Sequence, residues 1–128
     1  MDVKAQRLFT PKEANRTLPL VKKIVSDILR TGRRIRALSQ SLGVSFDSSL
    51  EVQDLMKDLK ENLAELENIG CSYKDFNFSA GLVDFPAIFG NQEVLLCWRS
   101  DEPEIQYYHD LYSGYAGRKP IPSNFLLQ

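Results

Sequence analysis

Among 128 residues the chain has one histidine, His109, and two cysteines, Cys71 and Cys97. Histidine, carboxylate and thiolate are ligands for zinc or iron, so His109 with Asp84, Asp110, Glu102 or Cys97 is one metal-binding combination. No His-x-x-x-His or Cys-x-x-Cys spacing supports it, and a single imidazole leaves several carboxylates to complete a centre. No metal or other cofactor is therefore expected. A second set, Asp84, Arg99, Glu102, His109 and Arg118, suits a small anion. Arginine forks hold carboxylates and phosphates bidentately, and the glycines of Gly114-Tyr-Ala-Gly117 let backbone amides approach such a group. The competing reading of these residues is structural: an Arg99–Glu104 cross-strand pair, with Arg118 tying the tail to the domain. Nucleophilic catalysis has less support. Cys97 lies in an apolar run that raises a thiol pKa, and no Gly-x-Ser-x-Gly elbow, phosphate loop or dinucleotide fingerprint is present. Glu102 and Glu104, flanking Pro103, read as a solvated turn.

These side chains need elements to position them. Thr10-Pro11-Lys12-Glu13 is a capping box with proline at the first helical position, which opens a short helix over 11–16. Pro19 is expected to break it, with a long helix following from about 18 to 42. In that helix Leu20, Val21, Ile24, Val25, Ile28, Ile35, Leu38 and Leu42 recur at helical spacing. Gly32 marks a bend or a close helix contact. Ser48-Ser49-Leu50-Glu51 opens a second helix over 48–69, which Gly70 ends. The short loop between the two forces an antiparallel hairpin.

From Cys71 the period changes to that of strands, expected near 71–75, 82–88, 93–99 and 104–109. A two-residue turn at Gly90-Asn91 sets Asp84 opposite Cys97 and Phe85 opposite Leu96. Val83, Phe85, Ala87, Val94, Leu96 and Trp98 then face the helices. A further turn at Asp101-Glu102 would place Arg99 opposite Glu104 and turn Ile105, Tyr107 and His109 to the apolar face. A straight sheet thus separates His109 from Asp84 and Cys97, a separation that a bulge between Leu95 and Tyr108 would undo.

The expected fold is α+β: one domain over 1–128, with a long antiparallel helical hairpin and short N-terminal helix in 1–70. The hairpin packs on a small antiparallel sheet of three to four strands within 71–128, followed by an irregular tail. Composition is that of a globular domain, with 43% hydrophobic and 26% charged residues. No apolar run is long enough to span a membrane, and Met1–Thr10 has no signal-like apolar core. Two cysteines are too few for a disulfide framework, so a reduced, cytoplasmic setting is expected. Residues 1–42 carry ten basic and three acidic side chains, whereas 43–70 carry two and seven. The basic Arg30-Thr-Gly-Arg-Arg-Ile-Arg36 therefore lies beside an acidic helix, and the balance of -1 argues against nucleic acid. Val25, Leu29, Leu50 and Met56 widen the apolar stripes of the helices, which suits a homodimer or a protein partner along the hairpin.

Several stretches together resemble a known family. They are Arg7-Leu-Phe-Thr-Pro-Lys-Glu-Ala-Asn-Arg-Thr-Leu-Pro-Leu20, Gly81-Leu-Val-Asp-Phe-Pro-Ala87 and Val94-Leu-Leu-Cys-Trp-Arg99, then Glu102-Pro-Glu-Ile105, Tyr108-His109 and Gly114-Tyr-Ala-Gly-Arg118. The chain resembles, over nearly its whole length, the bacterial family of uncharacterised proteins called domain of unknown function 2203. The family's Trp-His pair is Tyr108-His109 here, and its Gly-Glu turn is Asp101-Glu102. The resemblance implies the domain limits and a bacterial cytoplasmic setting, and carries no activity. The expected function is a binding or interaction module, taking a small anion near Arg99 and Arg118 or a protein along the hairpin. The alternative is a metal- or carboxylate-dependent enzyme with its site around Asp84, Glu102 and His109.

Overall fold

The computed structural model describes residues 7–128, so most of the Met1–Thr10 stretch read for a targeting signal lies outside the described residues. Thr10 starts the first helix through a capping box. Its Oγ1 accepts the Glu13 amide, and Glu13 Oε1 accepts the Thr10 amide, both at 3.1 Å. The helix, α1, then runs without interruption from Pro11 to Leu42. The break expected at Pro19 does not occur. Its neighbours Leu18 and Val21 are 3% and 0% exposed, while Pro19 faces outward. Burying two aliphatic side chains, each worth about 1.5–3 kcal/mol, offsets the roughly 3 kcal/mol that a helical proline costs.

After a tight turn at Gly43–Ser45, α2 spans Leu50–Ile69. Its cap is Ser49, whose side chain accepts the Val52 amide at 3.2 Å, so the helix starts later than expected. Gly70, at φ 111°, ends α2 in the left-handed conformation.

Five antiparallel strands follow, not three to four: β1 (Ser72–Tyr73), β2 (Leu82–Phe89), β3 (Gln92–Arg99), β4 (Tyr107–His109) and β5 (Lys119–Pro120), side by side in that order. The β2–β3 register is the one the Gly90-Asn91 turn dictates, with Asp84 opposite Cys97 and Phe85 opposite Leu96. Val83, Phe85, Ala87, Val94, Leu96 and Trp98 are all buried in one cluster with Leu18, Val21, Ile24, Val25 and Ile28 of α1. The tail read as irregular supplies β5 and a short helix, α3 (Ser123–Leu126). Phe125 of α3 stacks on Phe89 with ring centroids 4.3 Å apart, and Ile121 enters the core. Tail order thus comes from long-range aromatic packing, which local sequence does not reveal.

The basic stretch of α1 is occupied within the fold. Arg33 donates to the Phe78 and Ser79 carbonyls and Arg36 to that of Asn77, so both hold the 75–80 loop. Arg34 pairs with Glu51 of α2 and Arg30 with Asp27. At Gly32 the close contact is with the 75–80 loop and not with a second helix: a β-carbon there would collide with the Phe78 ring. Of the residues read as widening the apolar stripes, Val25 is buried and Leu29 packs on the core, whereas Leu50 and Met56 are 74% and 44% exposed. No helix among the described residues is long and apolar enough to cross a membrane.

Candidate functional site

The site is built by the turn between β3 and β4. At the end of β3, the Trp98 indole donates to the Glu102 carbonyl at 2.9 Å, and the Glu102 amide donates to the Arg99 carbonyl at 2.9 Å. The Glu102 side chain folds back, so that Oε1 accepts the Arg99 amide at 2.8 Å and Oε2 accepts from Arg118. Ile105 leaves the turn for the core, its amide and carbonyl both bound by the Asn15 side chain of α1. Pairing therefore resumes only at Tyr107, with Cys97 opposite Tyr107, Leu96 opposite Tyr108 and Leu95 opposite His109.

This register differs by one residue from the one a turn at Asp101-Glu102 predicts. Because side chains alternate, a one-residue slip sends each to the opposite face. His109 and Tyr107 consequently point away from the helices, on the face of Asp84 and Cys97. The expected separation of His109 from Asp84 is overturned, without a bulge, by the longer turn that Glu102 clamps. The expected Arg99–Glu104 pairing also fails. Arg99 lies 3.4 Å from Asp101 and donates to the Tyr115 hydroxyl at 3.3 Å.

The Asp84, Cys97 and His109 side chains converge on this outer face, and all three residues are buried. His109 Nε2 is 3.0 Å from Asp84 Oδ1, and Nδ1 is 2.7 Å from the Asp110 carbonyl oxygen. A carbonyl only accepts, so Nδ1 carries a proton. One further proton then lies on the Nε2···Oδ1 axis, giving either an imidazolium–carboxylate or a neutral imidazole–carboxylic acid pair. Burial holds the Asp84 carboxyl above the usual carboxylate range, while the charge of and bond from His109 pull the other way. Cys97 is pushed up to about 12 by burial and by the neighbouring Asp84 charge, so it is a thiol. One ligand atom from each of the three residues lies within 4.8 Å of the others.

Over these three side chains lies a cavity of about 220 Å³. Its walls are Leu82 and Leu95 from the sheet and Leu111, Tyr112 and Tyr115 from the loop that follows β4, with Lys74 also lining it. That loop is shaped by Asp110, whose Oδ1 accepts the Tyr112 and Ser113 amides at 2.8 and 2.7 Å. These bonds hold the Asp110 carboxyl below its usual range. Beside the cavity, the Arg118 guanidinium carbon lies over the Tyr107 ring, 4.0 Å from its centroid, and 4.9 Å from that of Tyr115, with the guanidinium bound to Glu102.

A family model described as "Uncharacterized conserved protein (DUF2203)" matches residues 7–121. The chain belongs to the DUF2203 family. No curated protein and no solved structure matches it. Of the five residues singled out in this DUF2203 chain, the structure sorts two from three. Asp84 and His109 meet at the cavity floor. Arg99, Glu102 and Arg118 gather beside it as a frame, with both Glu102 oxygens and the Arg118 guanidinium already partnered. Cys97, weighed as a metal ligand and as a nucleophile, belongs with the first group. The Gly114–Gly117 stretch read as approaching an anion does reach the cavity through Gly114 and Tyr115, whereas Lys74, Leu111 and Tyr112 have no counterpart in the sequence reading. Only the pairing of β1 on β2 and the path of the loop bring them to the cavity, and neither has a local sequence signal.

Proposed function

We propose that this protein binds a small anionic molecule in the cavity on the outer face of its sheet. The observation that carries the reading is the buried Asp84–His109 pair, which shares one proton at the cavity floor. A buried ionisable pair is a poor source of stability, and perturbed titratable groups in a cleft mark functional sites. With the pair neutral overall, the nearby Lys74 leaves the pocket with a positive balance. Leucine and tyrosine walls suit an organic body. At about 220 Å³ the cavity falls below the roughly 300–1,000 Å³ of drug-sized ligand sites, which fits a small metabolite. The ligand site proposed here is thus the cavity rather than Arg99 and Arg118, whose side chains bind other parts of the chain. The alternative, a metal- or carboxylate-dependent enzyme around Asp84, Glu102 and His109, retains Asp84 and His109 but has no free Glu102, whose two oxygens bind Arg99 and Arg118.

Both cysteines are free and buried, which agrees with a reducing compartment and with the bacterial cytoplasm expected from the sequence. Nucleic acid and membranes are not among the partners proposed. The test is a thermal-shift panel of small carboxylates and phosphates on the wild type and on Leu95→Trp, which fills the cavity. A saturable shift lost in Leu95→Trp supports the reading. No shift at millimolar ligand, or a shift that Leu95→Trp leaves intact, overturns it.

A further inference from the structure

We propose that Asp84, Cys97 and His109 form a binding site for a divalent transition metal of the zinc class, at the floor of the cavity. This inference rests on the cavity being the ligand site and names the cofactor that would serve it.

Three observations on this cluster agree. The first is the ligand set. Thiolate and imidazole together select zinc and its neighbours over magnesium, calcium or manganese, which prefer oxygen. The second is spacing. Zinc bonds of roughly 2.0–2.3 Å at tetrahedral angles put neighbouring ligand atoms about 3.3–3.8 Å apart. Nε2 and Oδ1 stand at 3.0 Å and all three atoms within 4.8 Å, so shifts of a few tenths of an ångström to about one ångström suffice. The register of β2, β3 and β4 fixes the backbones of the three residues at that spacing. The third is the hydrogen bond from Nδ1 to the Asp110 carbonyl. Metal-binding histidines ordinarily donate their second ring proton to such an acceptor, which fixes the tautomer and leaves the other nitrogen free to coordinate.

Three protein ligands fall one short of a closed tetrahedral site, the pattern of centres that keep a position for water or substrate. All three residues line the cavity, so that position opens into it. A carboxylate, a thiolate and a neutral imidazole balance a divalent ion, and the Lys74 charge remains. A small anion completing the coordination sphere is then the natural occupant.

The full chain, freed of metal by chelator, is titrated with cobalt(II), which reports a thiolate ligand by a charge-transfer band in the near ultraviolet. One equivalent of cobalt should give that band, and zinc should abolish it. Cys97→Ser should lose it, and Asp84→Asn should weaken cobalt binding at least tenfold. Cys71→Ser should keep it, because Cys71 is buried elsewhere, its thiol against the Leu66 carbonyl. Absence of the band in the wild type overturns the proposal whether or not the variants fold. So does a band that persists in Cys97→Ser or disappears in a folded Cys71→Ser. The anion panel, repeated on chelated and zinc-loaded protein, separates the two readings. Anion binding without a cobalt band leaves the ligand site standing and removes the metal. A cobalt band without any anion response does the reverse.

Discussion

Replacing Glu102 should unlock the register on which the site depends, and the size of the effect follows from its partners. The carboxylate accepts the Arg99 amide at 2.8 Å through one oxygen and the Arg118 guanidinium through the other. The Glu102 and Arg118 side chains are only 20% and 11% exposed, so water does not readily replace either bond. Hydrogen bonds to charged groups are worth about 1.5–3 kcal/mol each, and two of them at this part-buried turn sum to about 3–5 kcal/mol. Glu102→Ala should therefore lower stability by about 3–5 kcal/mol, a large fraction of the roughly 5–15 kcal/mol of a domain. Glu102→Gln retains an acceptor for the Arg99 amide and loses the ion pair, for a cost of about 2 kcal/mol. Urea unfolding of Glu102→Ala, Glu102→Gln, Arg118→Met and the double variants reads both terms, and the cycle isolates the Glu102–Arg118 coupling. The His109 ring resonances, followed by NMR in the folded Glu102→Ala protein, should move as the hold on β4 loosens. A loss below about 1 kcal/mol for Glu102→Ala, or equal losses for Ala and Gln, would show that the turn does not depend on this clamp.

Three further outcomes test other parts of the structure. Gly32→Ala should destabilise by about 1–3 kcal/mol in thermal unfolding, because the new methyl meets the Phe78 ring and strain exceeds the helix-propensity gain of about 1 kcal/mol; a stabilised variant would contradict that packing. Tyr73→Phe should raise stability by about 1 kcal/mol, since the buried Tyr73 hydroxyl has no hydrogen-bond partner among the described residues and its removal ends an unmet desolvation penalty; a loss above 1 kcal/mol would mean the hydroxyl is satisfied. In metal-free protein, Asp84 and Asp110 should shape the pH dependence in opposite senses. The Asp110 carboxyl is lowered, so its contribution is present above the unfolded value and lost as pH falls through the folded one, and amide exchange at Tyr112 and Ser113 should accelerate on acidification. Asp84 is raised, so its contribution is fully present below the unfolded value near 3.8 and is lost as pH rises through the folded one. Asp84→Asn should remove that second component from the unfolding free energy measured against pH, and an unchanged profile would refute the assignment.

What the sequence discloses here depends on how local the cause is. A capping box marks α1 and helical spacing marks both long helices, although α2 is capped by Ser49 rather than by a box at Ser48 and Glu51. The Gly90-Asn91 turn sets the β2–β3 register. That register brings Asp84 and Cys97 together from sequence alone. The limits appear where distant residues decide. Pro19 stays helical because its neighbours Leu18 and Val21 are buried in a core that the distant sheet completes. The tail is ordered by Phe89, more than thirty positions before Phe125. The decisive case is Glu102. An acid beside a proline in a turn reads as solvated when only its own character is considered. The end of β3, however, leaves a buried Trp98 indole and the Arg99 amide as donors in need of acceptors. Glu102 meets one with its carbonyl and the other with its carboxylate. That demand lengthens the turn and displaces the register by one residue, which carries His109 from the helical face to Asp84. The residue types of the site were therefore legible, while their convergence followed from hydrogen bonds at a strand end that no periodicity records.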